Sequence, residues 1–266
     1  MQFVAHTESF MFRCSKVIVV LLASLSFFTH TIQALSIPDH VRAAVADVTR
    51  PDTDKQRDVN RKPAETLAFI GIKSGAQVGE LLPGSGYFTR LFSKLVGPKG
   101  HVYAFVTERP ANAPADMPDR SLAVRAIAAD PHYSNVSVES VSFAKLSTPV
   151  PVDIIFTAQN YHDLHNIPGL SLEDFNKSVF AALKPGGIYI VLDHSAASGS
   201  GARDTNTLHR IDVEVVKKEV EAAGFKLLAS SNLLANPGDT RSTKVFDPAV
   251  RGTTDQFLLK FRKPGR

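Results

Sequence analysis

The sequence predicts an α/β fold: a doubly wound sheet, buried between helices on both faces. Three observations carry that expectation. Short apolar runs alternate with amphipathic ones from Gly71 onward. Residues 152–158 (VDIIFTA) form a largely apolar run, continuous enough for a strand covered on both faces. Turn signals such as Gly97-Pro98-Lys99-Gly100 punctuate the runs.

The elements follow in order. Residues 17–28 (VIVVLLASLSFF) are apolar, preceded by Arg13 and Lys16 and followed by a polar stretch that ends at Ala34. That layout is a secretory signal, and the run is shorter than the roughly 20 residues a spanning helix needs. Residues 1–34 are therefore expected to be removed on export to the periplasm or beyond, with Met11 an alternative start. Cys14 is the only cysteine of the 266 residues, so the exported chain would hold no disulfide and no cysteine-based zinc site.

Residues 35–62 read as an N-terminal helical extension. Pro38-Asp39-His40 suits a helix start, and Val41, Ala44, Val45 and Val48 recur at helical spacing. Arg50-Pro51-Asp52 breaks the pattern, and residues 52–62 read as a charged connector. The main domain, 63–266, opens on a helix over 63–70 with proline in its first turn.

Seven strands are expected, at 76–82, 101–106, 136–141, 152–158, 188–192, 225–229 and 256–261. Helices are expected at 87–96, 121–129, 172–183 and 212–223, the last capped by Asp212 and stopped by Gly224. The net charge of +4 comes without a dense Lys/Arg run, which argues against nucleic acid. A small-molecule substrate is expected instead, with no membrane contact once the signal is gone.

In doubly wound sheets ligands lie beyond the carboxyl ends of the strands. After the first strand stand Glu80, Gly84, Ser85, Gly86 and Tyr87. The glycines let the backbone turn sharply, and the next helix offers free N–H groups. A carboxylate at Glu80 suits a cationic or hydroxyl-bearing ligand, although two glycines also make a plain strand-to-helix turn. After the fourth strand come Asn160, Tyr161, His162, Asp163 and His165; after the fifth, Asp193, His194 and Ser195; further on, His209. His162, His194 and Asp163 are the candidate bases of a shared crevice. His162, His165, Asp193, His194 and His209 would also suit a divalent metal, a reading ranked below acid/base chemistry, so no metal ligand set is assigned. A Ser-His-Asp triad fits Asp193-His194-Ser195 poorly, because neighbours on a strand face opposite ways. Residues 36–62 and the Gly/Ser loop 198–206, with Arg203, Asp204 and Asn206, are candidate lids.

On these residues the sequence resembles the class I S-adenosylmethionine-dependent methyltransferases, and more closely a subgroup of predicted exported bacterial methyltransferases. The resemblance rests on ELLPGSGYFT (80–89), VGPKGHVYAF (96–105), NYHDL (160–164), LKPGGIYIVLDH (183–194) and TLHRID (207–212). It implies a mostly parallel seven-stranded sheet with one reversed strand near the end. It also implies S-adenosylmethionine as cofactor, with Glu80, Gly84, Ser85, Gly86, Tyr87 and Asn160 around it. Asn160 and Tyr161 match the position that contacts the acceptor or the methionine end, and His162, Asp163, His194 and Tyr161 stand as catalytic candidates. The pattern departs in three places. Leu82 stands where the family usually has glycine. Val106 stands where an acid usually holds the ribose, which leaves Glu108 as the substitute. No acid stands near Ser142-Phe143, where the adenine would bind. The expected activity is methyl transfer to a small acceptor. The alternatives are other acid/base or metal chemistry in the same crevice, and ligand binding without catalysis.

Overall fold

The structure is a computed structural model that describes residues 1–2, 36–107, 114 and 116–265. Most of the expected signal segment, and Glu108, lie outside the described residues. Strands β1 (Gln77–Leu81), β2 (His101–Thr107), β3 (Val136–Val141), β4 (Val152–Ala158), β5 (Leu183–His194), β6 (Lys226–Ser231) and β7 (Gln256–Arg262) form one sheet in the order β3-β2-β1-β4-β5-β7-β6.

The sheet is mixed, which corrects the expectation of a mostly parallel one. Four neighbouring pairs run parallel, and the two pairs made by β7 run antiparallel. β7 is the reversed strand. It lies between β5 and β6 and needs no crossover helix to reach β6. The order reverses between β1 and β4, which places the crevice at the carboxyl ends of those strands.

Alternation along the strands builds two cores. Val78, Phe156, Ile190, Leu192 and Leu258 face one side of the sheet. Leu81, Ile155, Tyr189, Val191, Leu259 and Phe261 face the other. The helices α1 (Asp39–Val45), α4 (Pro63–Ile70) and α5 (Tyr87–Val96) supply the first core with Val41, Leu67, Phe88, Leu91 and Phe92. The helices α8 (Leu172–Ala182) and α9 (Val213–Ala222) supply the second with Phe175, Val179, Val216 and Val220. The same sequences thus carry two periods, two residues in strands and about 3.6 in helices.

The extension differs from its expected form. Its first helix ends at Val45, so Val48 is exposed. The connector is not a loop; it folds into two single turns, α2 (Asp52–Lys55) and α3 (Asp58–Arg61). Ion pairs hold these turns: the fully buried Arg50 forks onto Asp58 at 2.6 and 2.9 Å, and the buried Asp54 takes Arg90 of α5 at 2.9 Å. A single turn has too few internal hydrogen bonds to stand alone, so these contacts decide its geometry. Asp212 caps α9 as expected, its Oδ1 accepting from the Glu214 N–H at 3.0 Å. The remaining described helices are α6 (Leu122–Ala128) and α7 (Tyr161–Leu164).

Candidate active site

The turn after β1 is built on left-handed backbone. Leu82 has φ 51°, Gly84 φ 58° and Gly86 φ 78°. Leu82 accepts the conformation that the resemblance assigns to a glycine, and its N–H donates to the Phe105 carbonyl at 2.9 Å. At Gly86 a Cβ would stand 2.0 Å from the Ile127 Cδ1 of α6, so only glycine fits there. At Gly84 a Cβ would meet nothing within 4 Å. The turn is therefore packed shut at one glycine and open at the other.

Glu80 lies directly beneath, 3% exposed, and accepts a 2.5 Å hydrogen bond from the Thr89 hydroxyl. Burial pushes its carboxyl up to about 8, against the pull of the Thr89 hydroxyl and the charges of Arg61 and Arg90. Asn160 secures the turn from the β4 side, its Nδ2 donating to the carbonyls of Leu82 at 3.1 Å and Ala158 at 2.6 Å.

The extension lies over this turn. Arg57 donates to Ser85 Oγ at 3.3 Å, and the Tyr87 hydroxyl donates to Asp58 at 2.7 Å. The Arg61 guanidinium sits over the rings of Tyr87 at 4.6 Å and Phe88 at 5.4 Å. Burial, with the neighbouring charge of Arg57, lowers the Arg61 pKa to about 10.

Beyond β4 and β5 the histidines and acids converge. The Asp193 carboxylate accepts from the His162 backbone N–H and meets its Nδ1, both at 2.8 Å, and also accepts from the His194 N–H at 2.7 Å. Asp193 is completely buried and His162 is 2% exposed. Burial alone would lower the His162 pKa; the charges of Asp193 and Asp163 outweigh it and hold the imidazole up at about 10. On the far edge of the ring, His162 Nε2 lies 3.3 Å from Asp163 Oδ1, and His209 Nδ1 lies 3.3 Å from the same oxygen. These three side chains are the described group whose atoms could surround one metal ion, all within 4.8 Å of one another. His194 stands 6.0 Å from His162 between ring centres, with Nδ1 2.7 Å from Thr254 Oγ1. Burial pushes its pKa down to about 4, with His162, Arg210 and Arg61 adding to the effect and Asp193 opposing it. At neutral pH, then, the buried pair consists of one charged and one neutral ring.

A chain of polar side chains joins the two halves. Arg61 donates to Gln159 Oε1 at 3.0 Å, Gln159 donates to Gln256 Oε1 at 3.0 Å, and Gln256 reaches Thr254, the partner of His194. Gln159 adopts φ 61° to take this position.

Other expected residues lie elsewhere. Tyr161 is completely buried in the second core, where its hydroxyl donates to Glu219 at 2.9 Å and accepts from Asn176 at 2.8 Å. It does not face the crevice. His165 follows it to Glu219, at 3.2 Å. Val106 is buried, and Phe143 packs edge-on against Phe175 in the core. In the loop 198–206, Arg203 pairs with Asp204, and Gly199 N–H is held by Asp212 at 2.7 Å.

Sequence reasoning passed over Arg61, Gln159, Thr254 and Gln256. Gln159 follows a strand directly and could have been found by that rule. Gln256 starts β7 with Thr254 two residues before it, and His194 pairs with Gln256. In an antiparallel strand the start, not the end, reaches the ligand edge. The buried pair of Arg210 and Asp239, at 2.8 Å, anchors the segment that carries His209 and had no sequence signal.

No family model matches the chain. Over 197 residues, 73% of this chain, it is 29% identical to the ubiquinone/menaquinone biosynthesis C-methyltransferase UbiE of Pseudomonas paraeruginosa and spans 66% of that relative's length, just under two thirds. A SAM-dependent methyltransferase from Aquifex aeolicus superposes with a TM-score of 0.55 at 20% identity, covering 80% of this chain and 98% of that one. An S-adenosylmethionine-dependent methyltransferase from Mesorhizobium loti superposes with a TM-score of 0.52 at 16% identity, covering 77% and 99%. The [4+2]-cyclase SpnF also superposes, with a TM-score of 0.53 at 17% identity, covering 80% of this chain and 81% of that one. The chain has the class I methyltransferase fold, and its homologues and most of its structural neighbours are methyltransferases.

Proposed function

We propose that the protein transfers the methyl group of S-adenosylmethionine to a small-molecule acceptor at the carboxyl ends of β4 and β5. The observation that carries this reading is the turn at Gly84: open backbone beside the buried Glu80, at the strand-order reversal of a methyltransferase fold. The residues fit the cofactor at this end. Glu80 and the open face at Gly84 and Ser85 would take the methionine and ribose, Gly86 and Asn160 hold the turn in shape, and Glu108 would complete the ribose contact. Arg57 and Arg61 lie over the turn and suit the cofactor's carboxylate. Tyr87 serves by seating the extension. When bound, the cofactor supplies an electrophilic methyl on a sulfonium.

The chain's own task is then alignment and proton handling. His194, uncharged at neutral pH, is the group able to accept the acceptor's proton. His162 and Asp163 line the same crevice and orient the acceptor. We further read the protein as exported, from the apolar segment at 17–28 behind Arg13 and Lys16. Among the described residues, no helix is long and apolar enough to cross a membrane.

Calorimetric titration of the chain with S-adenosylmethionine tests the reading. Saturable binding at one site is expected, lost in Gly84→Val. Absence of heat at millimolar cofactor rules methyl transfer out. The cluster of His162, Asp163, His209 and Asp193 favours a second reading, in which the same crevice performs other acid/base or metal chemistry.

A further inference from the structure

We propose that His162 Nε2, Asp163 Oδ1 and His209 Nδ1 bind one first-row divalent metal ion. The inference concerns the acceptor side of the crevice and stands whether or not the cofactor reading does. Four observations support it.

The spacing suits an ion better than hydrogen bonds. Bonds of about 2.0–2.1 Å in a tetrahedron place ligand atoms about 3.3 Å apart. Asp163 Oδ1 lies 3.3 Å from each of the two ring nitrogens, and the three ligand atoms all lie within 4.8 Å of one another, so two edges match the tetrahedron and the edge between the rings closes on the ion when it binds. At that length a charge-assisted hydrogen bond, normally near 2.8 Å, is slack.

His162 is oriented as a ligand, and an ion at Nε2 would displace the proton held there. Its Nδ1 is bound to the buried Asp193 at 2.8 Å, and its main chain is fixed by the same carboxylate, so Nε2 has one direction to point. A carboxylate behind a histidine is the usual outer partner of a metal-binding imidazole.

His209 Nδ1 is buried and makes no hydrogen bond of acceptable geometry, although it lies close to Asp163. An ion seated between them would turn that slack contact into a direct bond to the nitrogen. The residue also holds φ 54°, an unusual conformation for a histidine. Its ring is braced against Phe246 at 4.8 Å and its neighbour Arg210 is locked onto Asp239.

The donor set selects the metal. Two imidazoles and one carboxylate suit zinc, iron, cobalt or manganese, whereas magnesium and calcium prefer all-oxygen sites. Three protein ligands leave a coordination position open, as catalytic sites do. That position is where water or an acceptor oxygen would bind, with His194 nearby.

The test uses untagged full-length chain purified without chelator. Elemental analysis is expected to find about one ion per chain. After chelator treatment, Zn2+ and Co2+ are expected to raise the melting temperature, and Co2+ to show the visible bands of a low-symmetry site. His209→Gly keeps the left-handed backbone at no steric cost, so it is expected to fold while losing the ion, the thermal shift and the Co2+ spectrum. Asp163→Asn should lose the same three signals. The proposal is overturned if stripped wild-type protein binds none of Zn2+, Co2+, Mn2+ or Fe2+, or if His209→Gly binds them as well as wild type does.

Discussion

Asp193 takes hold of His162 twice, at the backbone N–H and at Nδ1, each at 2.8 Å. A third contact, from the His194 N–H at 2.7 Å, ties the same carboxylate to its own strand. One buried acid thus fixes the end of β5 to the first residues after β4.

Asp193→Ala leaves three donors facing an empty space. Breaking a buried pair of this kind costs about 3–5 kcal/mol, because the remaining groups stay desolvated. Urea unfolding should show a loss of that order. A loss below about 1 kcal/mol, the worth of a surface pair, would mean that the pair is not buried in solution.

The two glycines of the turn should respond differently. Gly86→Ala forces a Cβ into Ile127 at 2.0 Å and should cost about 1–3 kcal/mol in overpacking, partly recovered in the double variant with Ile127→Ala. Gly84→Ala meets no neighbour and should cost only the backbone strain, about 1–2 kcal/mol, while weakening cofactor binding more than Gly86→Ala weakens it per unit of stability lost. Paired melting and binding measurements on the two variants give the comparison.

Glu80 gives the protein a pH dependence. Its carboxyl is raised to about 8 when folded, from 4.5 as a free group, by burial, against Thr89, Arg61 and Arg90. The folded state therefore keeps a proton that the unfolded state releases. This contribution is fully present below about pH 4.5 and is lost as pH rises through about 8. Glu80→Gln should flatten that slope and melt later than wild type above pH 8. Cofactor whose cationic end faces Glu80 should bind more tightly as pH rises from 7 to 9, with a proton released to buffer. Calorimetry in buffers of different ionisation enthalpy counts that proton, and no release at pH 7 would place the cation elsewhere.

Arg61→Ala cuts the polar chain to His194 and removes the cation over Tyr87 and Phe88. The expected result is faster proteolysis within residues 50–62 and cofactor affinity weaker by about tenfold, about 1.4 kcal/mol. Unchanged proteolysis would mean that Arg50 and Asp54 hold the extension without it.

Strands could be read from the sequence because their apolar runs are long and bounded, as at 152–158, and each expected strand overlaps an observed one. The direction of β7 came only with the resemblance, since an apolar run looks the same in either sense. Gln256 and Thr254, at and just before its start, were passed over as site residues for that reason. The fold of 52–62 was not legible because it depends on partners far along the chain, Arg90 above all. Tyr161 and His162 could not both face the crevice: neighbours on a helical turn diverge by about 100°. Tyr161 and His165, four apart, share a face and share Glu219.

The place of β7 has a consequence for biogenesis. Among the described residues, β6 pairs with no strand but β7. A folding chain can pair β1 with β2 and β4 through segments close in sequence, yet residues 226–231 stay without a neighbour until 256–262 have joined them. His194, paired with Gln256, waits for the same event. The folding molecule thus remains incomplete at its histidine edge until residues 256–262 have docked.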